Sequence, residues 1–249
     1  MEKWALITGA SSGIGAATAR LLASQKYNLI LCGRRLERLE ALASELESQE
    51  CLVAPFDLQK SEDVEKFLAN HQAYLSKLDV LVNNAGLAKG TDPVQNADFK
   101  DWETMIDTNI KGLMHMTRGV LSQMVKKRSG HIVNIGSVAG RWVYPGGAIY
   151  CATKFAVRAF TEGLRQDLLG TNVRVTNIEP GMVHTEFSLV RLESKEKAEA
   201  VYAGMKPLTP EDIAETISWV LDRPQHVNVQ ELVVYPTDQA HVGMVHRGK

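Results

Sequence analysis

Short apolar runs alternate with helix-patterned stretches along this 249-residue chain, and that alternation constrains the fold more than any other feature. Residues 3–8, 28–32, 52–56, 78–82, 130–136, 172–178 and 231–235 read as strands. They are near-continuous apolar runs, the pattern of strands covered on both faces. Ile14 to about Lys26 reads as a helix, and 35–49 sets Leu36, Leu39, Leu42 and Leu46 at helical spacing. Further helices are expected from Ser61, as N-cap with Val64, Phe67 and Leu68 as its apolar face, as one long stretch over 99–127, over 149–169, and from Pro210. Repeated β–α units imply parallel strands joined by right-handed crossovers. The predicted architecture is an α/β, Rossmann-type doubly wound parallel sheet of about seven strands with helices on both faces, as a single domain over 1–249. The charged stretch 182–209 follows a strand's carboxyl end, where open α/β sheets bind ligands, and reads either as a solvated helix or as a lid.

The formal net charge is −1 and no basic run stands out, which argues against nucleic acid as a partner. Three cysteines, Cys32, Cys51 and Cys151, form no CxxC, so neither a disulfide framework nor a zinc site is expected. No apolar stretch approaches membrane-spanning length. The first strand begins almost at once, leaving no room for a signal peptide. Together these features predict a cytoplasmic protein with reduced thiols and no metal.

Residues 8–15 read Thr-Gly-Ala-Ser-Ser-Gly-Ile-Gly, between the first strand and the first helix. Gly9, Gly13 and Gly15 let the backbone turn sharply and approach a pyrophosphate, with Ser11, Ser12 and Ile14 around it, while the helix N-terminus presents unpaired N–H groups. At the end of the second strand, an NAD-binding chain usually carries a carboxylate for the ribose hydroxyls. Here the residues are Gly33-Arg34-Arg35. Guanidiniums pair with a phosphate, so the expected cofactor is NADP. Asp57 and Leu58 after the third strand, and Asn84, Ala85 and Gly86 after the fourth, are further candidates for cofactor contact. For Asp57 a simple turn cap, and for Asn83-Asn84 an Asx-turn, are the structural alternatives.

Ser137 ends the fifth strand, and Tyr150 and Lys154 lie four apart on the helix that follows. That spacing puts both on one helical face. A phenol near pKa 10 is a poor base at neutral pH, but a neighbouring ammonium and a cationic nicotinamide both favour the phenolate. Tyr150 could then exchange a proton with an alcohol while Ser137 holds its oxygen. Cys151 has no base beside it in sequence and reads as packing.

Thr8-Gly9-x-x-x-Gly13-x-Gly15, Asn83-Asn84-Ala85-Gly86, Asn109, Ser137, Tyr150-x-x-x-Lys154 and Pro180-Gly181 occur in the order and spacing of the short-chain dehydrogenases/reductases, which the sequence resembles from its start to at least Thr185. The resemblance implies that Asn109 holds a water in a proton relay through Lys154, and that Lys154 bonds the nicotinamide ribose. It also implies that Pro180, Gly181, Val183 and Thr185 line the cofactor, with Thr185 at its carboxamide. Residues 101–109, Ile178-Glu-Pro-Gly181, Thr185-Glu-Phe-Ser188 and the tail Val245-His-Arg247 are similar to the bacterial NADP-dependent 3-hydroxy acid dehydrogenases, which act on serine, allo-threonine and related acids. The loop 180–185 and Arg141-Trp142 depart from that group. A substrate carboxylate calls for a cation: Arg191 in the lid is the first candidate, Arg141 the second, and a solvated surface role is open for Arg191. A 3-oxoacyl thioester reductase, a general carbonyl reductase, or a non-catalytic NADP-binding regulator are the alternatives. The family's habit implies a homotetramer packed through 99–127 and 149–169.

Overall fold

The computed structural model describes residues 2–46 and 50–248. Its strands and helices run β1 (Lys3–Thr8), α1 (Gly13–Ser24), β2 (Tyr27–Gly33), α2 (Leu36–Glu45), β3 (Cys51–Pro55), α3 (Ser61–Asn70), α4 (Gln72–Leu75) and β4 (Leu78–Asn83). They continue with α5 (Phe99–Ile106), α6 (Leu113–Lys127), β5 (Gly130–Ile135), α7 (Ala148–Asp167), β6 (Val173–Pro180), α8 (Phe187–Leu192), α9 (Lys195–Tyr202), α10 (Pro210–Leu221), β7 (Glu231–Val234), β8 (Gln239–His241) and β9 (Met244–Val245). Seven strands form one sheet in the order β3-β2-β1-β4-β5-β6-β7, and every pairing in it is parallel. This is the doubly wound sheet that the alternation of elements predicts.

Successive strand residues point to opposite faces. Ala5 and Ile7 of β1 pack with Leu22 of α1, Leu39 of α2 and Ile217 of α10. Trp4 and Leu6 pack on the other face with Phe67 of α3, Met116 of α6 and Leu164 of α7. The chain builds outward from β1 to β3, then returns to place β4 on the other side of β1. The loops after β1 and β4 therefore diverge above the sheet's carboxyl edge, and the space they leave is where such sheets bind ligands.

Four local expectations need correction. Residues 99–127 are not one regular helix: Asp107–Gly112 form a π-helical turn between α5 and α6. Its cause is tertiary, since Asn109 is drawn onto the Leu87 backbone. A side chain at Gly112 would also meet Leu58 at 2.6 Å. Ser61 is the first helical residue of α3, not its cap; Lys60 holds the cap position. Helix α2 stops at Glu45, and residues 47–49 of its expected span lie outside the described residues. The β8–β9 hairpin was not expected, because strands of three and two residues carry no period to read. The stretch 182–209 contains two short helices, α8 and α9. No helix among the described residues is long and apolar enough to cross a membrane.

Candidate active site

Above the carboxyl edge of the sheet lies a cleft of about 320 Å³. Every residue assigned to the cofactor from sequence lines it except Gly15. Gly9 and Gly13 have φ of +66° and +52°, a region closed to most side chains. Gly15 sits behind the turn: a Cβ there would lie 2.4 Å from the Gly9 carbonyl oxygen and 2.6 Å from Asn84 Nδ2. Its missing side chain lets α1 close against the turn, which is a packing role, not contact with a ligand.

The turn is stapled to the loop after β4. Thr8 Oγ1 accepts hydrogen bonds from the backbone N–H groups of Asn84 (3.1 Å) and Ala85 (3.0 Å). Asn84 Nδ2 donates to the Thr8 and Gly9 carbonyls at 3.0 and 3.2 Å. Asn83 points away, donating to Thr117 Oγ1 and Asn134 Oδ1 inside the protein. Asp57 Oδ1 accepts from the Gln59 backbone at 3.1 Å, so it shapes its own turn as well as lining the cleft.

At the end of β2, Arg34 and Arg35 both face the cleft. Arg35 donates from Nε and Nη2 to Ser11 Oγ (3.1 and 2.9 Å) and from Nη2 to Ser12 Oγ (2.6 Å). Its Nη1 reaches Glu186 Oε2 at 2.9 Å. Arg38, one turn along, holds the same carboxylate.

At the opposite end of the cleft Ser137, Tyr150 and Lys154 come together. Ser137 begins a 3₁₀ turn and accepts from the Ala139 N–H. Tyr150 is buried, packed against Phe187 with ring centroids 5.5 Å apart. Lys154 Nζ donates to the Ile135 carbonyl at 2.8 Å and lies 5.9 Å from the Tyr150 ring centroid. Asn109 does not line the cleft. It is buried on the π turn, donating from Nδ2 to the Leu87 carbonyl and Thr153 Oγ1 and accepting the Leu87 N–H at Oδ1. Its Oδ1 and Lys154 Nζ nevertheless converge on Gly86, 3.3 and 3.5 Å from where a Cβ would stand.

Electrostatics departs from expectation here. Burial drives the Tyr150 phenol above its ordinary pKa, and the Ser137 hydrogen bond offsets only part of that. The nearby ammonium does not lower it, because Lys154 is turned onto the Ile135 carbonyl and is itself lowered to about 8 by burial. In the chain by itself the pair is therefore biased toward its neutral forms.

Arg191 and Tyr150 both border a second, small cavity of about 30 Å³. It donates to the Gly90 and Gly146 carbonyls (both 3.2 Å) and to Tyr144 Oη (2.9 Å). Arg141, the second candidate for a substrate carboxylate, is not there. It is consumed in an ion cluster with Glu179, Glu231 and Arg158 behind the site. The fully buried Glu179 explains this, since a carboxylate removed from water requires a cation. Cys151 is buried and its thiol is pushed up by burial, in keeping with packing. No cluster of metal ligands occurs among the described residues.

Sequence reasoning missed Glu186, Arg38, Tyr144 and Phe187. Glu186 meets its arginines across 148 and 151 residues of chain, and no local pattern announces such a pairing.

A positive-φ glycine turn beside paired arginines, leading along a cleft to a Ser–Tyr–Lys group, is the layout of a dinucleotide-dependent oxidoreductase. Residues 3–196 match the short chain dehydrogenase family, and the chain belongs to it. An NADP-dependent 3-hydroxy acid dehydrogenase of Shigella flexneri is 49% identical over 245 residues, covering 97% of this chain and 98% of its own. Serine 3-dehydrogenase of Agrobacterium fabrum is 47% identical over 239 residues, 96% of this chain and 95% of its own. The structure of a closed form of serine dehydrogenase complexed with NADP⁺ superposes with a TM-score of 0.92 at 48% identity, covering 98% and 99% of the two chains.

Proposed function

We propose that this chain is an NADP-dependent oxidoreductase that interconverts a short 3-hydroxy acid, of the serine and allo-threonine type, with its 3-oxo acid or semialdehyde. The observation that carries this is the convergence of Ser137, Tyr150 and Lys154 at one end of a cleft whose other end is closed by Arg34 and Arg35. The relatives' names supply the substrate class.

The residues present fit NADP. Positive-φ glycines leave the backbone of the turn open to a pyrophosphate, and two guanidiniums stand where a 2′-phosphate is read. Pro180, Gly181, Val183 and Thr185 line another wall of the cleft, Thr185 close against Gly13 of the turn. Bound NADP⁺ supplies the hydride acceptor and a positive charge near Tyr150. Ser137 Oγ holds the substrate hydroxyl, and Tyr150 Oη takes its proton. Lys154 Nζ binds the cofactor ribose. With Asn109 Oδ1 it also holds a water by Gly86, through which the proton leaves. Phe187 and the rest of the lid, residues 182–209, exclude bulk water from this end.

The direct test is the initial rate of NADPH formation from NADP⁺ and L-allo-threonine. A clear rate supports the substrate class. No rate, with NADPH binding intact, removes it and leaves the family and cofactor standing.

Two expectations accompany this function. Ser137 lowers the Tyr150 pKa, so Ser137→Ala shifts the rising limb of the kcat/KM profile for oxidation to higher pH as well as slowing it. An unshifted limb contradicts that role. Arg191 is the cation proposed for the substrate carboxylate, exchanging one of its present loop partners for it. Arg191→Ala then raises KM for the acid several-fold and leaves NADP affinity nearly unchanged; an unchanged KM removes Arg191 from the substrate site.

We also propose that the chain works in the cytoplasm, where its three free cysteines stay reduced, and assembles as a homotetramer. Phe99 and Phe155, left exposed on α5 and α7, support packing between subunits there. A sedimentation mass of a single 27.5 kDa chain would exclude the tetramer.

A further inference from the structure

We infer that Glu186 is a latch: a lid carboxylate that holds Arg35, one of the two phosphate-reading arginines, together with Arg38 until the 2′-phosphate of the cofactor takes its place. This rests on NADP being the cofactor. Glu186 lies between Thr185, which lines the cleft, and α8, the first helix of the lid. Its carboxylate crosses to Arg35 Nη1 (2.9 Å) and to Arg38 Nη1 (2.7 and 3.0 Å). The remaining donor edge of Arg35 is fixed on the hydroxyls of Ser11 and Ser12, both in the phosphate turn. Two guanidiniums, one of them braced by the turn's hydroxyls, thus form an anion site, and the anion in it is the chain's own.

The strength of the contact suits a latch. Roughly half of each side chain remains open to water, at 41% for Glu186, 42% for Arg35 and 50% for Arg38. Ion pairs so exposed are weak. A phosphate dianion carries more charge and offers more acceptor oxygens to the same forks, so it displaces a single carboxylate. A cofactor without the 2′-phosphate brings no competing anion there and leaves Glu186 where it is.

Displacement reaches further than the phosphate site because α8 is tied down at both ends. At its far end Arg191 is bonded to the loops at Gly90 and Gly146, and Glu193 pairs with Lys89. Releasing Glu186 frees the cofactor-side end while the substrate-side end stays held. The 2′-phosphate thereby acts on the segment that carries Phe187 onto Tyr150.

The test compares adenosine 2′,5′-bisphosphate with 5′-AMP, by calorimetric titration of the wild type and Glu186→Gln. Wild type should prefer the bisphosphate. Glu186→Gln should bind it about two- to fivefold more tightly, the worth of an exposed ion pair, with 5′-AMP affinity unchanged. In hydrogen exchange, the bisphosphate but not 5′-AMP should speed exchange across 187–192 in the wild type. In Glu186→Gln that segment should exchange fast without ligand. A bisphosphate affinity that is unchanged or weaker in the variant, or an α8 that becomes protected on binding, overturns the latch and leaves the cofactor assignment intact. A wild type that does not distinguish the two nucleotides overturns both.

Discussion

Tyr150→Phe is expected to lower kcat for 3-hydroxy acid oxidation by about 10²–10⁴-fold, the range general base catalysis supplies, with little change in NADPH binding measured by fluorescence. The substitution removes one oxygen and keeps the ring, so the contacts with Phe187 and the small apolar cluster of Leu87, Ala139 and Cys151 persist. What it removes has no substitute nearby. Cys151 is buried and its thiol is pushed up, away from the anion. Lys154 is depressed to about 8 but points at the Ile135 carbonyl. The phenol itself is held high by burial, so proton transfer depends on conditions that favour the phenolate: the Ser137 hydrogen bond and the positive charge that NADP⁺ brings. A loss smaller than tenfold would move the base elsewhere and undo the role given to Ser137 with it.

Burial is the reason the electrostatics of this site could not be read from spacing. Tyr150 and Lys154 share a helical face because they are four apart, and that much is local. Whether the ammonium lowers the phenol's pKa depends on where the Lys154 terminus goes, and a backbone carbonyl on β5 decides that. The same division runs through the molecule. The sheet, its two covered faces and the glycine turn were legible because each rests on a short-range pattern: an apolar run, a helical stripe, a Gly at a strand end. Asn109 stands at its place in the order of motifs, yet the π turn that carries it comes from contacts with Leu87 and Thr153, which are distant in sequence. Arg141 read as a free cation in a loop near the substrate. The buried Glu179 claims it, and no local feature reveals that Glu179 is wholly enclosed.

Replacing Arg34 and Arg35 together by alanine should cost NADP about 10²-fold or more in affinity, since each hydrogen bond to a charged group contributes ~1.5–3 kcal/mol, and should leave NAD affinity nearly as it was. The wall of the cleft at the end of β2 shows why the loss is selective. Gly33 brings the backbone close, and the two residues that follow are the arginines. No carboxylate of β2 itself competes for the ribose hydroxyls; of the two acids that line the cleft, Asp57 follows β3 and Glu186 comes from the lid, bound to Arg35 and Arg38. Removing the guanidiniums takes away the partners of a phosphate without adding one for a hydroxyl, so discrimination collapses instead of reversing. The two positions also differ. Arg35 is already fixed by Ser11, Ser12 and Glu186, whereas Arg34 faces the cleft with no such set of partners among the described residues. Arg35→Ala should therefore also loosen Glu186, leaving Arg38 alone to hold it at that end of α8, while Arg34→Ala should weaken phosphate binding and leave the lid in place. Kd values for NADPH and NADH measured on the two single variants and the double variant check all of this. If the double variant still prefers NADPH by the wild-type margin, the phosphate is read elsewhere and the pairing of Glu186 with Arg35 is a surface contact without bearing on the cofactor.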